Sequence, residues 1–415
     1  MGIVPTPTTP LDLDDINPAC FDFWLRDDVD GALARLRRER PVAWHAHPDS
    51  GKGFWSLTRY DDIAAATRDW ETFSSAFGIQ VLTEAEDVER FRLRSMISTD
   101  PPKHTKLRAL VNRGFTPRSV ARAEASVRQR AREIVDAIAP KGEVEFVAEV
   151  ASVLPVAVIC DMMGVPEPDR PRLLDLTNRL LAGGDREYGG TKHSLQQAGE
   201  ELRDYGLWLA RSRLEQPQED ITTALVHAEV DGEALPPEDL GPFFLLLIAA
   251  GNETTRTALS HGLWVLTQFP GEKRRWLQDL DGHATTAAEE IVRWASPLLH
   301  MRRTVTRDTT FAGVEMRQGD KVAMWYISAN RDEAHFPDPY RFDIAREPNH
   351  QGGFGTGGPH FCLGAHLARR EVIVMLTELL RRLPDIEAIG KPEKLRSNFI
   401  HGIKRLPAAF TPVQR

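Results

Sequence analysis

Cysteine is scarce in this chain. Cys20, Cys160 and Cys362 are the only three in 415 residues, widely separated and odd in number. That spacing excludes a disulfide framework and a CxxC-type zinc site, and points to a reducing, cytoplasmic setting. Long apolar runs are missing too. The longest, Phe243 to Ala250, falls well short of the roughly 20 residues that span a bilayer, so no stable membrane insertion is expected. Positive charge is not in excess: 52 Lys and Arg stand against 60 Asp and Glu, for a net charge of −8. A general nucleic-acid binder would carry the opposite balance. The N-terminal MGIVPTPTTPLDLDD has no basic region followed by an apolar stretch, so it does not read as a secretory signal. Gly2 and Thr6 match a myristoylation pattern, but no second basic or lipid signal supports it. No repeat and no linker-like stretch appears, which predicts one domain over residues 1–415 with an extended segment at 1–20. What is present is globular: 41% hydrophobic and 27% charged residues exclude disorder and leave enough apolar matter to enclose a ligand.

The pattern along the chain is mainly helical with small β-sheets. Residues 41–60 carry Val, Trp, Phe and Thr around Asp49-Ser50-Gly51 and predict a hairpin. From 61 to 295 helical periodicity dominates, broken at Asp100-Pro101-Pro102, Pro140-Lys141-Gly142, Gly183-Gly184 and Pro236-Pro237. Residues 304–327 return to strand-like patterns. Residues 331–361 form a long irregular segment rich in Pro, Asp, Gly and His, a length that usually signals function. A strong helix follows over 363–382, and 395–412 reads as strands and turns.

Four short patterns carry chemistry. The first is GFGTGGPHFCLGAHLARRE, residues 353–371. Gly353, Gly355 and Gly358 satisfy a dinucleotide-type spacing, but no apolar strand precedes them. His360, Cys362 and His366 lack a convincing fourth zinc ligand. Cys362 itself stands between a glycine-rich loop and a helix start, where backbone N–H groups favour a thiolate. A thiolate facing open space there suits a haem iron. A buried structural cysteine explains the same residue, and the segment alone leaves both readings open.

The second pattern lies inside a predicted helix over 238–268, long enough to cross a domain. Its middle reads Ala250-Gly251-Asn252-Glu253-Thr254-Thr255. A Thr hydroxyl can bond the carbonyl four residues back and open a notch beside a carboxylate. A solvent-facing polar patch is the plainer alternative. Thr255, one position along, points about 100° away from Thr254. The third pattern is Glu290-Ile291-Val292-Arg293, whose Glu and Arg share a helical face and can pair, if only as a surface ion pair. The fourth is His104-Thr105-Lys106-Leu107-Arg108, where His104 and Arg108 share a face and can both donate to one carboxylate.

Taken in chain order, from His104 and Arg108 to Phe354, Gly358, His360, Cys362 and Gly364, these motifs closely resemble those of the cytochrome P-450 superfamily of haem-thiolate monooxygenases. The resemblance covers residues 40–410 or so. It implies a single P-450-type fold with haem between the long oxygen-binding helix and the cysteine-loop helix. Cys362 would be the axial ligand of heme b. Glu253 and Thr254 would be the acid and alcohol that relay protons. His104, Arg108, Arg303 and His360 would meet the haem propionates, with Arg302 adjoining Arg303. Glu290, Arg293 and Arg341, from Pro339-Tyr340-Arg341-Phe342, would form a structural clamp. One departure is that Phe354 lies eight residues before Cys362, where the usual signature has seven. The longer loop, Asn252-Glu253-Thr254-Thr255 and Asn398 to Lys404 resemble bacterial hydroxylases of methyl-branched lipids and steroid side chains.

The resemblance also implies a small apolar substrate: a branched lipid, fatty acid or steroid, with a polyketide or terpenoid as the alternative. Residues 78–97, 178–192, Leu246, Ala250, 298–301 and Phe399 to His401 would line its pocket. A non-catalytic haem-binding protein is the rival of another class, against which Glu253 and Thr254 argue. The chain shows no flavin or ferredoxin domain, so electrons would come from NAD(P)H through a ferredoxin reductase and a ferredoxin. Nine Lys and Arg between 103 and 132, with Arg369 and Arg370, would steer an acidic ferredoxin to the cysteine side. The protein is expected to act as a monomer.

Overall fold

A computed structural model describes residues 11–47, 52–82, 95–114, 117–181, 183–230, 232–234 and 237–413. Helices dominate: α1 Val29–Glu39, α2 Tyr60–Arg68, α3 Lys103–Gly114, α4 Pro117–Ile138, α5 Val153–Met163, α6 Arg170–Leu181, α7 Lys192–Glu215, α8 Ile221–Val226, α9 Pro237–Gln268, α10 Pro270–Gln278, α11 Ala284–Ala295, α12 Tyr326–Ala329 and α13 Ala365–Arg382. Their ends follow local chemistry. Gly164 closes α5 in the left-handed conformation, at φ +75. Thr191 caps α7 by accepting from the Ser194 N–H at 3.1 Å. Pro270 starts α10 where its missing N–H costs nothing.

The long helix α9 runs through the middle and packs against α5, α6, α7, α11 and α13. Val127, Val158, Leu259, Ile291 and Met375 meet in this core, each contributed by a different helix and each fully buried. A side chain of that size gains about 1.5–3 kcal/mol from burial. The helix predicted over 238–268 is therefore found, one residue longer at its start.

The strands are β1 Val42–Ala46, β2 Gly53–Leu57, β3 Phe73–Ser74, β4 Glu143–Glu145, β5 Glu229–Val230, β6 Glu233–Ala234, β7 His300–Val305, β8 Thr309–Phe311, β9 Val314–Met316, β10 Lys321–Trp325, β11 Glu387–Ala388, β12 Glu393–Lys394, β13 Ile403–Arg405 and β14 Pro407–Ala409. The main sheet has the order β1-β2-β10-β7-β3. The hairpin expected over 41–60 is its edge, with Trp44 opposite Trp55; its turn, Asp49-Ser50-Gly51, lies outside the described residues. So do Gly2, Thr6 and Pro236. The strand pattern expected from 304 starts earlier, at His300.

No helix or strand forms between α12 and α13, as the sequence predicts. The backbone there is held by arginines instead. Arg293 donates to the carbonyls of Asn330 and Pro339, at 2.8 and 2.9 Å. Arg331 donates to those of Arg293 and Trp294. Buried carbonyls need donors, and fixed guanidinium forks supply them where no ladder can. No strand leads into Gly353, which removes the context of a dinucleotide site. Among the described residues, no helix is long and apolar enough to cross a membrane.

Candidate functional site: a cysteine loop beneath a notched helix

Cys362 stands three residues before α13. Its N–H donates to the Phe354 carbonyl at 2.9 Å, and the Gly364 N–H points at its sulfur. The side chain is accessible, although protein surrounds it on most sides, so it faces a hollow within the fold. Burial pushes its thiol up, while the Gly364 N–H and the charges of Arg108 and Arg369 act in the opposite direction. Cys160 is sealed in the core, its thiol pushed up to about 12 by burial. Of the three cysteines, only Cys362 is exposed.

The extra loop residue is absorbed by glycine. Gly355, Gly357 and Gly358 all take the left-handed region, at φ +93, +113 and +72. A Cβ on Gly358 would stand 2.4 Å from the Thr67 carbonyl oxygen, so only glycine fits. Phe354 keeps its place in spite of the longer loop. Its ring packs on Val292 and Ala365, with the Arg369 guanidinium 4.3 Å from the ring centre.

Beside this loop, two histidines and two arginines converge. The rings of His104 and His360 lie 4.2 Å apart. His360 Nε2 meets Ser75 Oγ at 3.1 Å, and Arg108 donates to the Pro359 carbonyl at 3.1 Å. Arg303 is buried close enough to depress both histidines. Burial first, then the neighbouring cations, pushes His360 down to about 2. His104 is also lowered, by burial and then by Arg108. It is 1% exposed, yet neither ring nitrogen has a partner among the described residues. The one acid felt by His104 is Asp100, already bound by the Ser74 hydroxyl and the Ser75 N–H. So many buried donors without a facing carboxylate fit an anionic group brought by a ligand. Haem, with two propionates, matches that donor set. Arg302 is on the other side of β7, donating to the Phe77 carbonyl and Thr304 Oγ1 at 2.8 and 2.9 Å. Side chains alternate along a strand, so Arg303, not Arg302, joins the cluster.

The clamp differs from expectation in one member. Glu290 and Arg293 are fully buried and doubly bonded, at 2.7 and 2.8 Å. The third member is Arg346, whose Nε lies 3.2 Å from both Glu290 oxygens. Arg341, expected there, leaves its side chain 62% exposed. It contributes its carbonyl, which accepts from Arg293 and Arg346 at 3.3 and 2.8 Å. Without periodicity in this segment, no sequence pattern separates two arginines five residues apart.

On α9 the notch is present. Thr254 Oγ1 donates to the Ala250 carbonyl at 2.8 Å, and Ala250, Gly251 and Thr254 remain open while their neighbours are buried. Thr255 points elsewhere and donates to Glu371 Oε2 at 3.2 Å. Burial pushes the Glu371 carboxyl up to about 8. Glu253 is 1% exposed and pairs with Arg256, whose other end bonds Asn178 Oδ1 of α6 at 2.6 Å. Its second oxygen has no partner among the described residues. Glu253 and Thr254 are thus adjacent but not bonded to each other. Arg256, Asn178 and Glu371 were missed from sequence; only the three-residue spacing of Glu253 and Arg256 hinted at the first.

An apolar cluster gathers several segments expected to line a pocket. Ile79, Leu181, Tyr188, Leu298 and Met301 pack against Leu395, Phe399 and Ile400. These come from four of those segments; residues 83–94 of the first, 78–97, lie outside the described residues.

The cytochrome P450 family profile matches residues 167–387. A methyl-branched lipid omega-hydroxylase of Mycobacterium tuberculosis is 45% identical, over 98% of this chain and 97% of its own. A steroid C26-monooxygenase of Mycolicibacterium smegmatis is 36% identical, over 98% and 96%. The solved structure of a Mycobacterium marinum cytochrome P450 in complex with pseudoionone has TM-score 0.89 and 41% identity, covering 98% of this chain and 100% of that one. With the fold, the cysteine loop and near full-length identity in agreement, this chain belongs to the cytochrome P450 family and is a haem-thiolate monooxygenase.

Proposed function

We propose that the protein hydroxylates a methyl-branched lipid, fatty acid or steroid with dioxygen, using electrons from NAD(P)H passed through a ferredoxin reductase and a ferredoxin. The carrying observation is the accessible Cys362 thiol beside a buried cluster of His104, Arg108, Arg303 and His360, in which both His104 ring nitrogens lack a partner among the described residues. Bound haem supplies the oxygen chemistry: one atom of dioxygen enters a C–H bond and the other leaves as water, consuming two electrons and two protons. Cys362 would bind its iron through the thiolate, and His104, Arg108, Arg303 and His360 would hold its propionates.

The chain's own part is orientation, exclusion of water and proton supply. Phe399, Met301 and Leu298 turn the substrate with apolar contacts and keep water out. Thr254 keeps a proton on Oγ1, parked on the Ala250 carbonyl and free to rotate into the notch. Glu253 replenishes it through its unbonded oxygen. Lys103, Lys106, Arg128 and Arg132 are exposed on α3 and α4 for an acidic partner. Arg369 and Arg370 are less free than expected, since they pair with Glu289 and Glu124. The side chains of Arg113, Arg118 and Arg122 lie outside the described residues.

The test uses purified holoprotein, ferredoxin and reductase. Isopalmitic acid and cholestenone are screened for a spin-state shift, then for product carrying isotopically labelled oxygen. Binding and labelled alcohol from either supports the reading. A spectrum without the thiolate signature ends it at its root, and haem loading with no shift by any branched lipid or steroid ends the substrate assignment.

A further inference from the structure

A groove of about 210 Å³ lies between α4, α11 and α13 and opens at the surface. Arg128 and Arg132, four residues apart, share a face of α4. Arg370, Val374, Thr377 and Arg381, spaced by four, three and four, form one stripe of α13. Ala284 and Thr285, the first residues of α11, reach the same groove. Three helices thus bring four guanidinium groups to a pocket floored by buried Val374 and Thr377.

Positive charge there exceeds what the chain answers. Two carboxylates line the groove, Asp281 and Glu378, and Arg381 takes both, at 3.1 and 3.8 Å. Glu124 is shared by Arg370 and, at 3.2 Å, by Arg128. Arg132 is exposed and has no ion pair among the described residues. Thr377 is a second, independent signal. It is 6% exposed, and its hydroxyl has no partner among the described residues. Thr67, Thr177 and Thr267 bond the carbonyl four residues back, at 2.7, 2.7 and 3.0 Å, as helical threonines commonly do. Thr377 does not, and a buried hydroxyl without a partner calls for one. The start of α11 adds further donors. Its ladder begins with the Ala287 N–H, which donates to the His283 carbonyl at 2.9 Å, so the N–H groups of Ala284, Thr285 and Thr286 lie ahead of it. His283 supplies no side-chain cap, and the first turn holds no acid. The positive end of the helix dipole therefore meets no carboxylate of its own.

We propose that this groove is a binding site for a phosphate group, free in solution or at the end of a larger molecule. Guanidinium forks match phosphate oxygens in pairs. Donors that arrive from three helices suit a tetrahedral anion with oxygens on every side, whereas a planar carboxylate would leave one bank unserved. Pockets for drug-sized ligands run to about 300–1,000 Å³, so this smaller groove takes a phosphate or pyrophosphate and leaves any larger remainder outside. Arg128 and Arg132 are also among the side chains proposed for the acidic partner; the phosphate site does not rest on that role.

The experiment titrates the full-length holoprotein calorimetrically with inorganic phosphate and with pyrophosphate, at constant ionic strength set by chloride. Co-sedimentation with phosphatidylcholine vesicles, with and without phosphatidic acid, tests a lipid headgroup as the source. One saturable site is expected. Arg132→Gln is expected to weaken it about tenfold, the scale of a bond between charged groups. Thr377→Val is expected to weaken it about threefold to tenfold while the protein folds as before, because the hydroxyl has no internal partner to lose. Arg172→Gln removes the same charge from α6, outside the groove, and is expected to leave binding unchanged. Saturable binding of the free anions that depends on Arg132 supports the site and assigns it a soluble phosphate. Binding of phosphatidic acid vesicles alone, with the same dependence, supports it and assigns a headgroup. Absence of saturable binding to either source overturns the proposal. Equal weakening by Arg132→Gln and Arg172→Gln also overturns it, since that marks general charge attraction, as does binding indifferent to both Arg132→Gln and Thr377→Val.

Discussion

Glu290 is where the sequence and the structure make different numerical claims. Its two oxygens accept from five donor groups: Arg293 Nε and Nη2, Arg346 Nε, Asn349 Nδ2 and the Asp343 N–H. Glu290→Ala leaves two buried guanidinium groups without their shared anion. Breaking a buried ion pair from one side costs about 3–5 kcal/mol. Against a typical total of roughly 5–15 kcal/mol, that yields poorly folded protein with little haem. Arg346→Ala keeps the Glu290–Arg293 pair. It strips donors from the Pro337, Asp338 and Arg341 carbonyls, bonded at 2.7, 3.1 and 2.8 Å. Bonds to charged donors are worth about 1.5–3 kcal/mol apiece, and water replaces some of these at the exposed end, so about 3 kcal/mol is expected. Arg341→Ala removes a mostly exposed side chain and keeps the carbonyl that the clamp uses, so the change stays within about 0.5 kcal/mol. Denaturant unfolding of the three holoprotein variants, followed by far-UV circular dichroism and haem absorbance, reads the order. Equal losses in Arg341→Ala and Arg346→Ala would refute the exchange of roles, and a normal Glu290→Ala protein would refute the clamp.

Cys362→Ser should abolish the strongly red-shifted Soret band of the reduced carbon monoxide complex, whereas Cys160→Ser should keep it; the reverse pattern assigns the wrong cysteine. Thr254→Ala should leave haem content and substrate affinity nearly unchanged while peroxide replaces product, and full coupling there would sink the proton-supply role. Glu253→Gln should slow turnover, since positioned acid–base groups contribute about 10²–10⁴-fold. Glu371 gives a pH signature. Folding raises its carboxyl from 4.5 to about 8, so stability is greatest below the lower value and falls as pH rises to the upper one, by at most about 5 kcal/mol. Glu371→Gln should flatten the decline in unfolding free energy between those two values, and an unchanged slope would show the carboxyl ionises freely.

How much was legible in the sequence depended on period. Helix α9 and the start of α13 were readable because apolar spacing and a glycine-rich loop mark them unambiguously. Cys362 followed from its place between them. Arg346 was not readable, because residues 331–361 repeat nothing and the choice between Arg341 and Arg346 is made by where carbonyls point. Glu371 follows Arg369 and Arg370 with no pattern to mark it; only the packing of α13 on α9 turns it inward, against Thr255. That contact also spoils Thr255 as an inert neighbour of Thr254. The rotation of about 100° is as expected, but it aims the hydroxyl at a buried acid.

The same division separates what is fixed in this site from what can vary. The side of the clamp and the cysteine loop is built of buried groups that depend on one another: Glu290 bonded to Arg293 and Arg346, and His104 packed against His360 near Arg303. Changing one strands another, so such a set resists substitution. The apolar cluster proposed for the substrate side draws on Ile79, Tyr188, Leu298 and Phe399, which lie on turns and connections between helices and strands and touch mainly through apolar contact. Each can change size with a cost of packing alone. Selectivity can therefore drift from one apolar substrate to another while the clamp and the cysteine loop stay put, which is how relatives named for branched lipids and for steroids share one architecture.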